Sequence, residues 1–444
     1  MIAETQKSPF WETSNFAPVS EEVTTADLVV EGSIPPELSG LYVRNGANPR
    51  SGRPGHWFLG DGMLHGVSLA GGKAHWYRNR WVRTPKFENE GQPPASPLDL
   101  RNSAANTSVV QHAGRILALV ENALPFEVDR RLEKIGFHDF GGKLTTSFTA
   151  HPKICPETGE MHFFGYSVMP PYVTYHVADK TGALTRSLEV PTAGPTMVHD
   201  FAITRNHIIF LDLPIVFDLE MALRGTMPFV WSDTYGARLG VLPRGAGLEN
   251  LRWVEVEPGY VYHVGNAYEK ADGSIVLDVA WYQEHWRGGA SNKAFEPARL
   301  KRWTIAPDRS RVAESLLDDR PIEFPKINDG HCGLAHQFVY AVETGGETGT
   351  GRHQALTKFD VNSGETASHV FHDAMISEFV HIAPPSASRE DDGWLMGYVF
   401  DRTRGASDLI ILDAATIAKP PIARIKLPCR VPQGFHGNWM PNLN

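Results

Sequence analysis

A chain of short β-strands gathered into repeated small sheets is the fold class this sequence predicts. Three observations predict it. Short apolar or alternating runs recur along the whole length, each bounded by Gly, Asp, Asn or Pro, which reads as strand, turn, strand. Glycine (41) and proline (32) are frequent and evenly spread, so no stretch stands out as a linker. The helical period of about 3.6 residues is scarce. Many evenly spaced strands without a linker point to a single all-β domain over residues 1–444.

In chain order the runs begin with "SGLYVRN" (39–45) and "GMLHGVSL" (62–69), the second opening on the turn "GDG". "GRILALVE" (114–121), "MHFFGYSV" (161–168) and "HIIFLDLP" (207–214) follow, started by glycine or a polar turn and stopped before Asn, Met-Pro or Pro. "SIVLDVAWY" (274–282) and "QFVYAVE" (337–343) lie between Gly-rich or polar stretches. "GWLMGYVF" (393–400), "DLIILDA" (408–414) and "PIARIKLP" (421–428) crowd the C-terminal end. Two segments read as helix candidates, "PIVFDLEMALRG" (214–225) and the region around 125–136. Seven four-stranded blades would take roughly 60 residues each, above the usual propeller repeat, with the surplus available for loops over one face. No Trp-Asp repeat fixes the number of blades.

Composition excludes several function classes. The formal net charge is −9 with no block of like charge, which disfavours nucleic acid as a partner. The three cysteines, Cys155, Cys332 and Cys429, are far apart, which argues for a reducing, cytoplasmic setting and against thiolate zinc or iron–sulfur clusters. The start "MIAETQKSPFWETSNF" has no apolar leader segment, and no run reaches the length of a membrane span.

The nineteen histidines invite a test for metal chemistry. His75, His112, His176 and His369 read as ordinary strand histidines. His151 in "FTAHPKICPETGE", His199 in "MVHDFAITRNHIIF", His263 in "YVYHVGNAYE" and His436 in "GFHGNW" share another context. Each joins apolar or aromatic neighbours to a Gly, Pro or Asp break. In a propeller the inner strands end near one axis, so wide sequence separation is no obstacle to convergence.

Taken together, "GSIPPELSGLYVRNGANP", "GDGMLHGV", "NTSVV", "SFTAHPK", "MVHDFAIT", "GVLPR", "HVGNAYE", "EFPKIN" and "RVPQGFHGNW" resemble the carotenoid cleavage oxygenases. These are non-haem iron dioxygenases that split carotenoids, apocarotenoids or stilbenes. The likeness keeps its order over nearly the whole chain. It implies a seven-bladed β-propeller with a helix and loop cap over one face. It implies one Fe(II) on the axis, held by His151, His199, His263 and His436, which suits imidazole donors. It implies three glutamates behind those histidines, Glu121 in "ALVENALPFE", Glu323 in "PIEFPKIN" and Glu378 in "ISEFVHIAPP". Such carboxylates fix the tautomer of a ligating ring. The expected pairs are Glu121 with His199, Glu323 with His263 and Glu378 with His436, leaving His151 without a carboxylate. Asp61 and Asp200 read as structural, and His331, His336 and His381 match no ligand motif. No flavin, nicotinamide or 2-oxoglutarate is expected, because an electron-rich alkene can supply the electrons.

The resemblance also bears on the substrate, an apolar conjugated alkene consumed with dioxygen. Phenol-cleaving members carry Lys immediately before the first glutamate and a Tyr upstream. Here that residue is Val120, and "QPPASPLDLRNSAANTS" upstream has no tyrosine. A buried hydroxyl without a partner costs roughly 1–3 kcal/mol, about ten- to a hundred-fold in affinity. The expected substrate is therefore a carotenoid or apocarotenoid, with a stilbene or phenylpropene of the lignostilbene or isoeugenol type as the alternative. "LDLPIVF" with "MPFVW" (211–231) reads either as a patch for peripheral membrane contact or as ordinary core packing. An interaction propeller without metal and an iron-dependent isomerase are the rival classes.

Overall fold

The computed structural model describes residues 9–51, 56–90, 96, 98–290, 296–344 and 353–442. Among these residues the strands form seven antiparallel sheets of four to six strands and one separate two-stranded hairpin. The seven sheets are the blades of a β-propeller. All ten runs quoted above contain strands, from Gly40–Ala47 to Ala423–Lys426.

The blades follow one another along the chain. The second to sixth comprise four strands each: Ser108–His112 to Lys134–Phe137, Lys153–Ile154 to Leu184–Val190, Ala202–Ile203 to Arg252–Glu255, Tyr260–Glu269 to Val312–Asp318, and Ile322–Lys326 to Thr366–His372. The first and seventh exchange the chain ends. The first blade runs outward from Gly437–Pro441 through Gly40–Ala47, Gly62–Ala70 and Lys73–Trp81 to Thr24–Thr25. The seventh takes Val29–Gly32 as its outermost strand, paired with Ala423–Lys426. Both ends of the chain are thus stitched into sheets that close the ring. Leu41 stands opposite Met440 and Arg44 opposite Gly437.

Neighbouring blades bury their faces on one another. Leu41, Val43 and Leu64 of the first blade pack with Val109, Ile116, Ala118 and Phe126 of the second. Phe164 and Tyr175 of the third pack with Phe201, Ile208 and Phe210 of the fourth. Each such buried aliphatic or aromatic side chain contributes about 1.5–3 kcal/mol relative to exposure.

Helix is very sparse. The candidate at 214–225 forms helix only over Leu219–Leu223, N-capped by the Asp218 carboxylate accepting from the Met221 N–H. Ile215–Phe217 before it pairs with Phe229–Trp231 as the separate hairpin. The candidate around 125–136 is not helical. It is two strands, Phe126–Val128 and Lys134–Phe137, because the Asp129 side chain accepts from the Arg131 and Glu133 N–H groups and turns the chain. The expected cap is accordingly built of loops and this hairpin, with almost no helix.

Candidate metal centre

Four of the blades present a histidine at the axial end of their innermost strand. His151 stands two residues before Lys153–Ile154, His199 three before Ala202–Ile203, and His436 one before Gly437–Pro441. His263 lies within Tyr260–Glu269, where the register slips between Val261 and Val264. A slip of this kind re-aims a side chain that regular alternation would send elsewhere. The "GFHGN" backbone fits only glycines on either side of His436. A Cβ on Gly434 would lie 2.8 Å from the Arg44 guanidinium carbon, and one on Gly437 would lie 2.8 Å from the Tyr42 hydroxyl. Asp200 ties three blades together here, accepting from the Phe201 and Val264 N–H groups at 2.8 Å and pairing with the Lys153 Nζ at 2.7 Å.

The four rings converge. One ring nitrogen from each of His151, His199, His263 and His436 lies within 4.8 Å of all the others. The Nε2 atoms of His151 and His199 are 3.0 Å apart, and those of His263 and His436 are 3.2 Å apart. Two imidazoles at right angles on a metal with bonds of roughly 2.1 Å lie about 3 Å apart, so the spacing fits a shared cation.

The other three blades supply the glutamates. Glu121 follows the strand Arg115–Leu119 of the second blade and pairs with His199 Nδ1. Glu323, on the inner strand of the sixth, accepts from His263 Nδ1 at 2.5 Å. Glu378, between the inner strands Ala374–Ile376 and Val380–Ile382 of the seventh, accepts from His436 Nδ1 at 3.0 Å. Among the described residues His151 has no carboxylate partner; its backbone N–H donates to Thr149 Oγ1 at 3.0 Å. The structure thus brings Glu121, Glu323 and Glu378 against His199, His263 and His436. With the Nδ1 protons directed at carboxylates, the Nε2 lone pairs face inward.

Each glutamate is held by a further group. The Tyr166 hydroxyl donates to Glu121 Oε2 at 3.0 Å, and the Tyr282 hydroxyl to Glu323 Oε1 at 2.7 Å. Glu378 instead meets a cation, Lys326 Nζ at 3.2 Å, and accepts from the Gly437 N–H at 2.8 Å. These three partners were missed from sequence. Tyr166 lies in "MHFFGYSV", Tyr282 in "SIVLDVAWY" and Lys326 in "EFPKIN", and nothing in these stretches showed which glutamate each reaches.

Charge is poised for a divalent ion. Three carboxylates against one lysine leave two negative charges uncompensated around the rings. Burial would raise the Glu378 carboxyl, yet Lys326 and His436 hold it down at about 2. Burial and the three neighbouring rings keep His151 well below the usual histidine range. Burial pushes His436 down to about 4 despite Glu378. Burial acts the same way on His199, but Glu121 outweighs it and raises the ring. The pocket thus attracts positive charge while the His151 and His436 rings stay neutral, the form in which imidazole binds a metal.

Aromatic rings crowd the other side of the group. Tyr262 lies edge-on to His199 with centroids 4.9 Å apart, and Trp286 lies 6.2 Å from Tyr262. Phe58 spans Trp286 (6.1 Å) and Phe435 (5.5 Å), and Trp57 packs on Phe435 at 4.5 Å.

The remaining candidates have other roles. His336 pairs with Asp278 at 3.0 Å, and His331 Nδ1 lies 2.8 Å from the Ala335 carbonyl. Asp61 accepts from the Arg50 N–H beside the "GDG" turn. His112, His176 and His369 are hydrogen-bonded within or beside their strands. The upstream stretch 92–108, read for its lack of tyrosine, falls partly outside the described residues.

Comparison with known proteins places these features. Residues 16–441 match the family described as retinal pigment epithelial membrane protein, RPE65. The chain is 39% identical to a carotenoid cleavage oxygenase of Mycobacterium tuberculosis, covering 96% of each chain. It superimposes on cobalt-substituted Synechocystis ACO with a TM-score of 0.85 and 29% identity, covering 96% of this chain and 97% of that one. It superimposes on the lignostilbene dioxygenase of Pseudomonas brassicacearum with a TM-score of 0.89 and 27% identity, covering 98% and 99%.

Proposed function

Since the chain belongs to the RPE65/carotenoid cleavage oxygenase family, we propose that it is a non-haem Fe(II) dioxygenase cleaving a conjugated C=C bond of a carotenoid or apocarotenoid to two carbonyl products. The observation that carries this reading is the convergence of four histidine nitrogens, three of the rings held from behind by glutamates, against a wall of aromatic rings.

His151, His199, His263 and His436 would hold the iron, which supplies the redox chemistry that activates dioxygen. Glu121, Glu323 and Glu378 keep three of the rings in one tautomer and orientation. Tyr262, Trp286, Phe58 and Phe435 make the approach apolar, exclude water from the reacting bond and present π-faces that steady positive charge developing along a polyene. No side chain is required to donate or remove a proton in cleavage to two carbonyls.

A stilbene is the second reading, favoured by the TM-score of 0.89 to the lignostilbene dioxygenase. Against it stands Val120, which offers nothing to a phenol oxygen beside Glu121. Iron-loaded protein given an apocarotenal and a 4-hydroxystilbene in equal amounts in air is expected to yield shortened apocarotenoid aldehydes, identified by mass. Aromatic aldehydes from the stilbene would replace the first reading with the second. A single product of unchanged mass would mean isomerisation.

Membrane contact is part of the same proposal. No helix among the described residues is long and apolar enough to cross a membrane. Leu211, Leu213, Ile215 and Phe229 of the apolar stretch are core residues, whereas Leu219 and Leu223 on the intervening helix are 63% and 80% exposed. This helix would rest on a lipid surface and admit a lipid-soluble substrate. Leu219→Asp with Leu223→Asp removes about 2 kcal/mol or more of apolar transfer, so binding to phosphatidylcholine vesicles should fall at least about tenfold. Equal co-sedimentation of variant and wild type would rule this surface out.

A further inference from the structure

A cavity of about 160 Å³ lies along the propeller axis and is lined by three of the four histidines, His151, His263 and His436. Lys153 and Asp200, which follow His151 and His199, line the rest of it with Lys326, Asp329, Glu378 and His381 of the sixth and seventh blades, beside apolar side chains such as Val110 and Phe324. The aromatic wall has a different origin, in residues that precede the histidines, such as Tyr262 and Phe435, and in loops bearing Phe58 and Trp286. The four-histidine group therefore has one aromatic approach and one polar approach.

The polar approach suits a cation. Lys153 is neutralised by Asp200 at 2.7 Å and Lys326 by Glu378 at 3.2 Å. Asp329 has no salt-bridge partner among the described residues, so the cavity keeps a net negative charge. Asp329 is also exposed, which puts solvent at that end. Deeper in, His381 is only 7% exposed, yet neither of its ring nitrogens has a hydrogen-bond partner among the described residues. Buried polar groups are almost always satisfied, and an exception asks for an explanation. Burial keeps this ring neutral, with a value pushed down to about 4, so it has a lone pair to offer. A divalent ion crossing the aromatic wall would shed its water with little in return, whereas Asp329, His381 and the histidines offer oxygen and nitrogen donors in succession.

We propose that this axial cavity is the path by which the metal ion enters and leaves the four-histidine group, with Asp329 at its mouth and His381 as a transit donor. The proposal rests on the reading of that group as the metal site. A path residue has a signature that a structural residue lacks. It lowers the barrier in both directions, so its loss slows uptake and release by the same factor and leaves the equilibrium affinity unchanged.

The test uses full-length metal-free protein and Co(II), followed by the visible absorption of the bound ion, with release measured by transfer to a chelator. Asp329→Asn preserves shape on an exposed turn, and His381→Phe preserves the ring that stacks on Tyr340. Each is expected to slow both uptake and release about tenfold, the lower end of what focused charge does to association rates, with affinity within twofold of wild type. Rates unchanged in both variants would overturn the path. A loss of affinity with faster release would also overturn it, because the residues would then be supporting the site itself. Failure of the wild type to take up Co(II) would overturn the metal-site reading and the path with it.

Discussion

His436→Ala is expected to leave a folded protein that binds no iron and has no cleavage activity above background. The ring contributes one of four nitrogens that lie within 4.8 Å of one another, and its Nε2 is 3.2 Å from that of His263. Without it the group has three donors and an opening where the fourth stood. Glu378 keeps only Lys326 and the Gly437 N–H as partners. The fold does not depend on the ring. The closing strand Gly437–Pro441 is held by backbone pairing to Gly40–Ala47, and the His436 carbonyl still accepts from the Asn45 N–H. Circular dichroism should therefore match the wild type while metal analysis finds the iron gone. Full occupancy with normal turnover would remove His436 from the centre, and the proposed ligand set would fall with it.

What the sequence made legible follows from where the information sits. Strands such as Ile275–Tyr282 and Ala406–Asp413 are long apolar runs between turn residues, and a local pattern suffices to find them. The inner strands that carry the site are different. Lys153–Ile154 and Ala202–Ile203 are two residues each, too short for any periodicity. Closure of the ring pairs residues near 40 with residues near 440, a contact that no local signal encodes. The four histidines stand apart by their neighbours, but their role as ligands and the three glutamates came through ordered resemblance rather than spacing, since nothing in local pattern relates Glu121 to His199. The groups behind the glutamates stayed hidden for a related reason. Phe324 sits at a positive φ of 54° and the register slips between Glu323 and Lys326, so alternation cannot say which way Lys326 faces. Asp129 similarly defeated the helical reading of 125–136, because a single side chain turning the backbone outweighs the propensity of its neighbours.

Glu323 gives the sharpest separation between holding a histidine and holding the fold. Its carboxylate is buried and takes three donors, His263 Nδ1 at 2.5 Å and the Phe324 N–H at 2.6 Å on Oε2, and the Tyr282 hydroxyl at 2.7 Å on Oε1. Burial would raise this carboxyl, but His263, the Phe324 N–H and the Tyr282 hydroxyl together lower it, so it stays ionised at neutral pH. Glu323→Ala orphans all three donors, each costing about 1–3 kcal/mol when buried and unpaired. The variant should lose about 3 kcal/mol or more of stability and, through the freed His263 ring, about 10–100-fold in metal affinity. Glu323→Gln is built to divide these effects. Its amide oxygen can replace Oε2, accepting from His263 and Phe324, while its NH2 faces a tyrosine hydroxyl that can also accept. Orientation is kept and the negative charge is lost. Stability should then stay within about 1 kcal/mol of wild type, while metal affinity falls toward the tenfold end of the range. Metal titration and thermal unfolding of both variants read the two effects separately. If Glu323→Gln binds metal as the wild type does while Glu323→Ala does not, orientation alone matters and the charge of the carboxylate contributes nothing to the centre. If both bind as the wild type does, Glu323 serves only the packing of the sixth blade.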